Sequence, residues 1–196
     1  FFRNGPWTFP LGLNPLLGLE LANGIAYSDS IPGLAILFKA LSPALPPVFQ
    51  YFGAWLLACF VLQAWFGWKL AGLVTPARLP RLVIAALFAS APPLLLRASP
   101  HLALSGHFLI LAALYLVLRP GRRHQAGLWL LLLVTAALTS AYLLLMAGAL
   151  WLADLADAAI GRKRPWRRLM AEAAVTVGAI LLALWQAGFF AESDKA

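Results

Sequence analysis

"VFQYFGAWLLACFVLQAWFGWKLAGLV", residues 48–74, is an apolar run with a single charged side chain, Lys69. Its length is enough to cross a lipid bilayer with some tilt. Arg78 and Arg81 follow shortly after it. Because Lys and Arg are enriched on the cytoplasmic side of membrane spans, the sequence predicts that this end of the helix faces the cytoplasm.

The composition of the whole chain agrees with a membrane protein. Of 196 residues, 62% are hydrophobic and 11% are charged, and the mean hydropathy is +0.83. Soluble domains are about 45–50% apolar and about 25% charged. A soluble domain of this length cannot bury such an apolar excess, because much of its surface must stay polar. We therefore predict an all-α integral membrane protein with four to six transmembrane or half-spanning helices.

The net charge of +8 does not indicate a nucleic-acid partner. The basic residues fall in short runs between apolar segments, which is the positive-inside pattern of a multi-pass membrane protein. The strongest run, residues 162–168, is predicted to contact anionic lipid headgroups. The single cysteine, Cys59, lies within an apolar helix, so no disulfide framework and no thiolate metal site is expected.

The chain divides into three parts by pattern. Residues 1–46 predict an extracytoplasmic loop followed by a juxtamembrane helix over 31–42, with Ser30 as N-cap and Lys39 reaching out to water. Residues 47–190 predict a bundle with helices at about 48–74, 81–96, 100–118 and 169–187. Ser99 and Pro100 mark the start of the third of these. Residues 191–196 form an outer tail.

The stretch 127–153 has two interpretations. Basic residues at 119–123 and at 162–168 flank it, and both runs are expected on the cytoplasmic side. An even number of crossings is then required, so we favour a helical hairpin that turns near Thr139 and Ser140 without leaving the outer face. The hydroxyls of Thr139, Ser140 and Tyr142 could line a pocket there, and satisfying the backbone of a broken helix explains them equally well. One long tilted helix is the alternative.

Polar residues collect at the predicted outer end of helix 100–118. Arg97, His101 and His107 lie there, and the helix N-terminus offers free N–H groups and a positive dipole end. His101 and His107 are about 240° apart around a helix, so they do not form a metal site. Arg97 and the helix end predict a cradle for a phosphate, with His101 at its rim and His107 at membrane depth. Interfacial anchoring and ordinary packing explain the same residues without a ligand.

The first loop resembles that of the GT-C membrane glycosyltransferases. The resemblance rests on "RNGPWTFPLGLNP", with Gly5, Trp7 and Pro10, and on "YSDSIPGLAILFKALSPALPPVFQYFGAWL", with Tyr27, Asp29 and Pro32. It is closest to an uncharacterised bacterial group of GT-C-like polytopic proteins, which share these stretches and "H.AL.GHFLIL.ALYL". The resemblance covers most of the chain, although its motifs are loose and mostly apolar.

This resemblance implies a glycosyltransferase that moves a sugar from a polyprenyl-phosphate donor to an extracytoplasmic acceptor. The usual catalytic carboxylate element would lie upstream of Phe1, so the chain is expected to be a fragment, and a divalent metal is possible in the full-length protein. Within this chain Asp29 is the catalytic candidate, with a helix cap as its plainer explanation. Glu20, Arg3 and Lys39 are further candidates for substrate contact.

Two other functions fit the same sequence. One is a transporter or flippase for an amphiphilic anion, with His107 and the 127–153 hairpin along its path. The other is a non-enzymatic membrane subunit of a larger complex. In all three cases the expected location is the bacterial plasma (inner) membrane, with membrane lipid as a partner.

Overall fold

A computed structural model describes residues 1–15, 23–120, 125–161 and 164–190. In these ranges the protein is almost entirely helical, as predicted. The α-helices are α1 (Pro32–Leu41), α2 (Tyr51–Ala71), α3 (Arg78–Ala89), α4 (Pro92–Arg97), α5 (Phe108–Leu118), α6 (Ala126–Ala137), α7 (Ala141–Ile160) and α8 (Trp166–Gln186). Short 3-10 segments occupy Ile25–Tyr27, Ser42–Ala44 and Leu102–Ser105, and strands Leu13–Asn14 and Asn23–Gly24 form one antiparallel pair.

Four segments are long and apolar enough to cross a membrane: 51–71, 78–97, 141–160 and 166–186. The second consists of α3 and α4, which are separated by a short break before Pro92. The chain is therefore a multi-pass membrane protein. Helices α1, α5 and α6 are shorter, with 10, 11 and 12 residues.

The helices pack into a bundle with two distinct ends. The first buried cluster joins α1, α2, the Leu102–Ser105 segment and the start of α5, and includes Tyr51, Trp55 and Phe108. The second lies between α5, α6 and α7, and includes Trp129 and Trp151. We call the end that carries the 1–46 loop the loop end, and the opposite end, where Arg119 and Arg164 lie, the basic end.

The 127–153 stretch forms two helices with a turn at 138–140 between them. The indole of Trp129 in α6 contacts Asp154 in α7, so the two helices run antiparallel. Helix α6 begins and the 20-residue α7 finishes at the basic end, whereas the turn lies at the loop end. Arg119 and Arg164, the described arginines closest to the two ends of this hairpin, thus lie at the same end of the bundle, and one long tilted helix is not formed.

One predicted helix start and one predicted N-cap are wrong. The helix expected to begin at Pro100 begins at Phe108, after a 3-10 segment and Gly106. Glycine disfavours helix, and the amide of Leu102, which a cap at Ser99 could have bound, is bound by another segment, described below. Ser30 does not cap α1. Its hydroxyl donates to Ile25 O, and Ile31 takes the N-cap position with a positive φ of 52°.

Candidate functional site

A cleft of about 420 Å³ opens at the loop end of the bundle. Four separate parts of the chain line it: residues 26–29, residues 101–104, the α6–α7 turn at 139–142, and Phe189 just beyond α8. Its polar lining comprises Tyr27, Ser28, Asp29, His101, Thr139, Ser140 and Tyr142. Several polar residues predicted separately from the sequence thus share one cleft.

Asp29 fastens the first loop to the Leu102–Ser105 segment. Its carboxylate accepts hydrogen bonds from the backbone N–H of Leu102 and of Ala103, the latter at 2.8 Å. These are the amides that begin the 3-10 segment and have no partner within it. The cradle that the sequence predicts for a phosphate at this point is therefore occupied by the protein's own carboxylate. Asp29 acts as a cap, although for a segment 73 residues away.

Helix α2 supports the same segment from the opposite side. The indole N–H of Trp55 donates to Leu102 O at 2.7 Å, and the Tyr51 hydroxyl donates to Ser30 O at 2.6 Å. Trp55 and Tyr51 are buried, at 7% and 3% exposure. Because the amide of Leu102 binds Asp29 and its carbonyl binds Trp55, the backbone next to His101 is held on both sides.

The α6–α7 turn is attached to the N-terminus of α1. The amide of Gly33 donates to Leu138 O at 2.8 Å, so a first-turn N–H of α1 finds its acceptor in the turn. The hydroxyl of Thr139 donates to Thr135 O at 2.7 Å and satisfies a carbonyl at the end of α6. Tyr142 borders the cleft with an exposed side chain.

The last wall of the cleft depends on close approach of glycines. The amide of Gly12 donates to Gln186 O at 2.7 Å, and the Tyr27 hydroxyl donates to Phe189 O at 2.7 Å. A Cβ added to Gly12 or Gly24 would overlap the backbone carbonyl of Ala187 or Gly188. The first loop can dock on the end of α8 only because these positions lack side chains.

The three polar residues that the sequence grouped are separated in the structure. His101 is exposed and lines the cleft, whereas Arg97 and His107 do not line it. His107, at the N-cap of α5 and outside the four candidate spans, is partly buried. The structure therefore does not bring Arg97 and His107 into the cleft together with His101.

Lys39 and Arg3 hold the N-terminal segment in place. Lys39 is only 4% exposed, so the expectation that it reaches out to water is wrong. Its ammonium donates to Pro6 O at 2.6 Å and lies 4.0 Å from the centre of the Phe1 ring. Arg3 donates to the carbonyls of Leu45 and Pro46. Burial lowers the pKa of Lys39.

Glu20 and the tail 191–196 lie outside the described residues, as do Arg162 and Lys163 of the basic run. In the described part of the run, Arg164 binds the buried Asp154 at 3.2 Å and Glu172 at 2.6 Å. Asp154 is therefore ion-paired with a residue of the basic run. Within the described ranges no group of three or more His, Cys, Asp or Glu side chains could hold a metal ion.

Sequence reasoning missed the residues that build the cleft without lining it. In the sequence, Trp55 is one of several aromatic residues in an apolar helix, and nothing local distinguishes Gly12 and Gly24 from other loop glycines. The one available signal is the cluster of glycines in a loop rich in proline and asparagine, which is compatible with close backbone approach. Their partners at the end of α8 lie more than 160 residues away in sequence.

Comparison with known proteins places the chain in a family. Residues 1–196 match a family described as a domain of unknown function (DUF6311), so the chain belongs to that family over its whole length. No curated protein matches it. No solved structure matches it either.

Proposed function

We propose that this member of the DUF6311 family is a GT-C-like membrane glycosyltransferase that binds the sugar-phosphate end of a polyprenyl-phosphate donor in the loop-end cleft. One observation carries the proposal. Four parts of the chain, distant in sequence, bring a carboxylate, an imidazole and several hydroxyls to a single cleft above apolar helices. Its volume of about 420 Å³ falls within the usual size of small-molecule sites.

The chemistry of the lining suits a sugar attached to a lipid. Hydroxyls of Ser140 and Tyr142 and the imidazole of His101 both donate and accept hydrogen bonds, as sugar hydroxyls and phosphate oxygens require. Tyrosine adds an apolar ring face beside its polar tip. The lipid part of the donor would remain in the membrane next to the helices.

Asp29 has a positioning role in this proposal. Both of its oxygens already bind backbone amides, and it keeps the Leu102–Ser105 segment, and with it His101, at the edge of the cleft. His101 and Tyr142 contact the substrate. Since the carboxylate is engaged and no further acidic side chain lines the cleft among the described residues, the donor set does not fit a divalent metal, and no step is assigned to one.

Purified protein reconstituted in liposomes with radiolabelled polyprenyl-phosphate sugars tests the proposal. Label should pass to an acceptor in membrane extract, and Ser140→Ala or His101→Ala should lower the rate by about ten-fold or more, as loss of a specific polar contact does. Ser90→Ala is the matched control, because Ser90 is exposed between α3 and α4 and does not line the cleft.

Three results would contradict the proposal. One is equal loss of transfer in Ser140→Ala and Ser90→Ala. Another is donor binding with movement across the bilayer and no transfer, which would favour a transporter or flippase. The third is absence of both binding and transfer, which would favour a non-enzymatic subunit.

A further inference from the structure

We propose that a groove between α5 and α6 is a binding site for one anionic phospholipid, with the lipid phosphate at Arg119 and an acyl chain along the groove. The groove has a volume of about 330 Å³. Its walls are mostly leucine and alanine side chains: Leu109, Ala112 and Leu116 from α5, and Leu128, Leu131 and Leu132 from α6. It is separate from the loop-end cleft, and the proposal does not depend on the proposed glycosyltransferase activity.

The dimensions of the groove match one leaflet of a bilayer. Helices α5 and α6 have 11 and 12 residues, which at about 1.5 Å per residue is roughly 16–18 Å. The hydrocarbon core of a bilayer is about 30 Å thick, so the groove spans roughly half of it. Leu131 is 66% exposed and Leu128 is 43% exposed at its rim, so in a membrane the groove opens toward lipid chains.

The polar end of the groove lacks an acceptor. Arg119 follows the last residue of α5 at the basic end, and its Nε is buried without a hydrogen-bond partner among the described residues. A buried charged donor without an acceptor is costly, and a phosphate supplies paired oxygens in the geometry that a guanidinium binds best. Basic pockets between membrane helices on the cytoplasmic side commonly bind anionic headgroups.

Charge decides which occupant the site takes. A neutral lipid would fill the apolar walls but would leave Arg119 without a counter-charge. Arg164 and Arg168, also at this end, differ from Arg119 because they are already paired with Asp154 or Glu172. Arg81 also has a buried Nε without a hydrogen-bond partner among the described residues, but its guanidinium lies 4.1 Å from the centre of the Trp68 ring and does not line the groove. At the far end of the groove the hydroxyl of Thr135 donates to Leu131 O, so that end offers no free donor to a headgroup.

Native mass spectrometry of the full chain released from nanodiscs tests this site. The nanodiscs contain phosphatidylglycerol and phosphatidylcholine, and the lipid retained by each variant is counted. Arg119→Gln should lower the retained phosphatidylglycerol by about ten-fold, which is the loss expected for one charge-assisted contact. Arg78→Gln removes the same charge from an exposed position at the same end and should lower it by less than about two-fold.

A second variant tests the groove itself and guards against misfolding. Leu131→Trp fills the groove from an exposed position that does not disturb the core, and it should displace phosphatidylglycerol while Arg119 is intact. Equal losses in Arg119→Gln and Arg78→Gln would show that surface charge alone holds the lipid, and unchanged binding in Leu131→Trp would exclude the groove. Either result overturns the proposal.

Discussion

Replacing Asp29 with alanine should loosen the Leu102–Ser105 segment without unfolding the bundle. The substitution removes the acceptor for the amides of Leu102 and Ala103. A hydrogen bond to a charged group contributes about 1.5–3 kcal/mol when it is shielded from water. Because Asp29 is exposed, water competes for both amides, and we expect about 1–3 kcal/mol for the pair.

Hydrogen–deuterium exchange in nanodiscs measures this loss directly. A local opening that becomes easier by about 1–3 kcal/mol makes the amides exchange about 5- to 150-fold faster. The effect should be confined to the peptide that contains Leu102 and Ala103. Asp29→Asn keeps one acceptor oxygen and should give an intermediate rate.

Tyr142→Phe is the control for this experiment, because it removes a hydroxyl from the same cleft but contacts neither amide. Its exchange at 102–103 should equal that of the unmodified protein. If Asp29→Ala also leaves these amides as protected as before, the carboxylate does not hold the segment, and the account of how His101 is positioned fails.

Two further predictions concern stability, each measured as the free energy of unfolding in detergent micelles. Gly24→Ala places a Cβ against the backbone at the end of α8 and should lower the free energy of unfolding by about 1–3 kcal/mol. Gly148→Ala in α7 meets open space and should raise it by about 0.5–1 kcal/mol. Equal effects of the two substitutions would refute the close approach of Gly24 to α8. Asp154→Ala removes the acceptor of a buried indole and of an arginine and should lower the free energy of unfolding by about 1–3 kcal/mol. Arg168→Gln breaks an exposed pair and should lower it by about 0–1 kcal/mol. A reversed order would show that the buried carboxylate does not stabilise the fold.

The membrane architecture could be predicted because its signals are local. A span such as 51–71 is defined by its own apolar length, and the break at 138–140 by the charge on both sides of a segment. The start of α5 could not be predicted in this way. Pro100 offers a good local start signal, but Asp29 binds the amides that follow it, and this contact spans 73 residues.

The candidate site was predictable residue by residue but not as an assembly. Asp29, His101 and Ser140 attract attention because polar groups are rare in so apolar a chain. Their common location depends on hydrogen bonds between distant segments, such as Gly33 to Leu138, and on the docking of Gly12 against the end of α8. Lys39 shows the opposite case, since a basic residue in a juxtamembrane helix usually reaches water, yet here it anchors the N-terminal segment.

The central claim is that the loop-end cleft binds the sugar-phosphate end of the donor. Photo-crosslinking with a polyprenyl-phosphate sugar that carries a diazirine on the sugar tests this claim most directly. Peptide mapping after irradiation in liposomes should place the label on residues 26–29, 101–104 or 139–142, the segments that line the cleft. Unlabelled donor should compete for the same peptides. Label found instead on α2 or α3, or label that unlabelled donor does not displace, would contradict the assignment of the loop-end cleft as the substrate site.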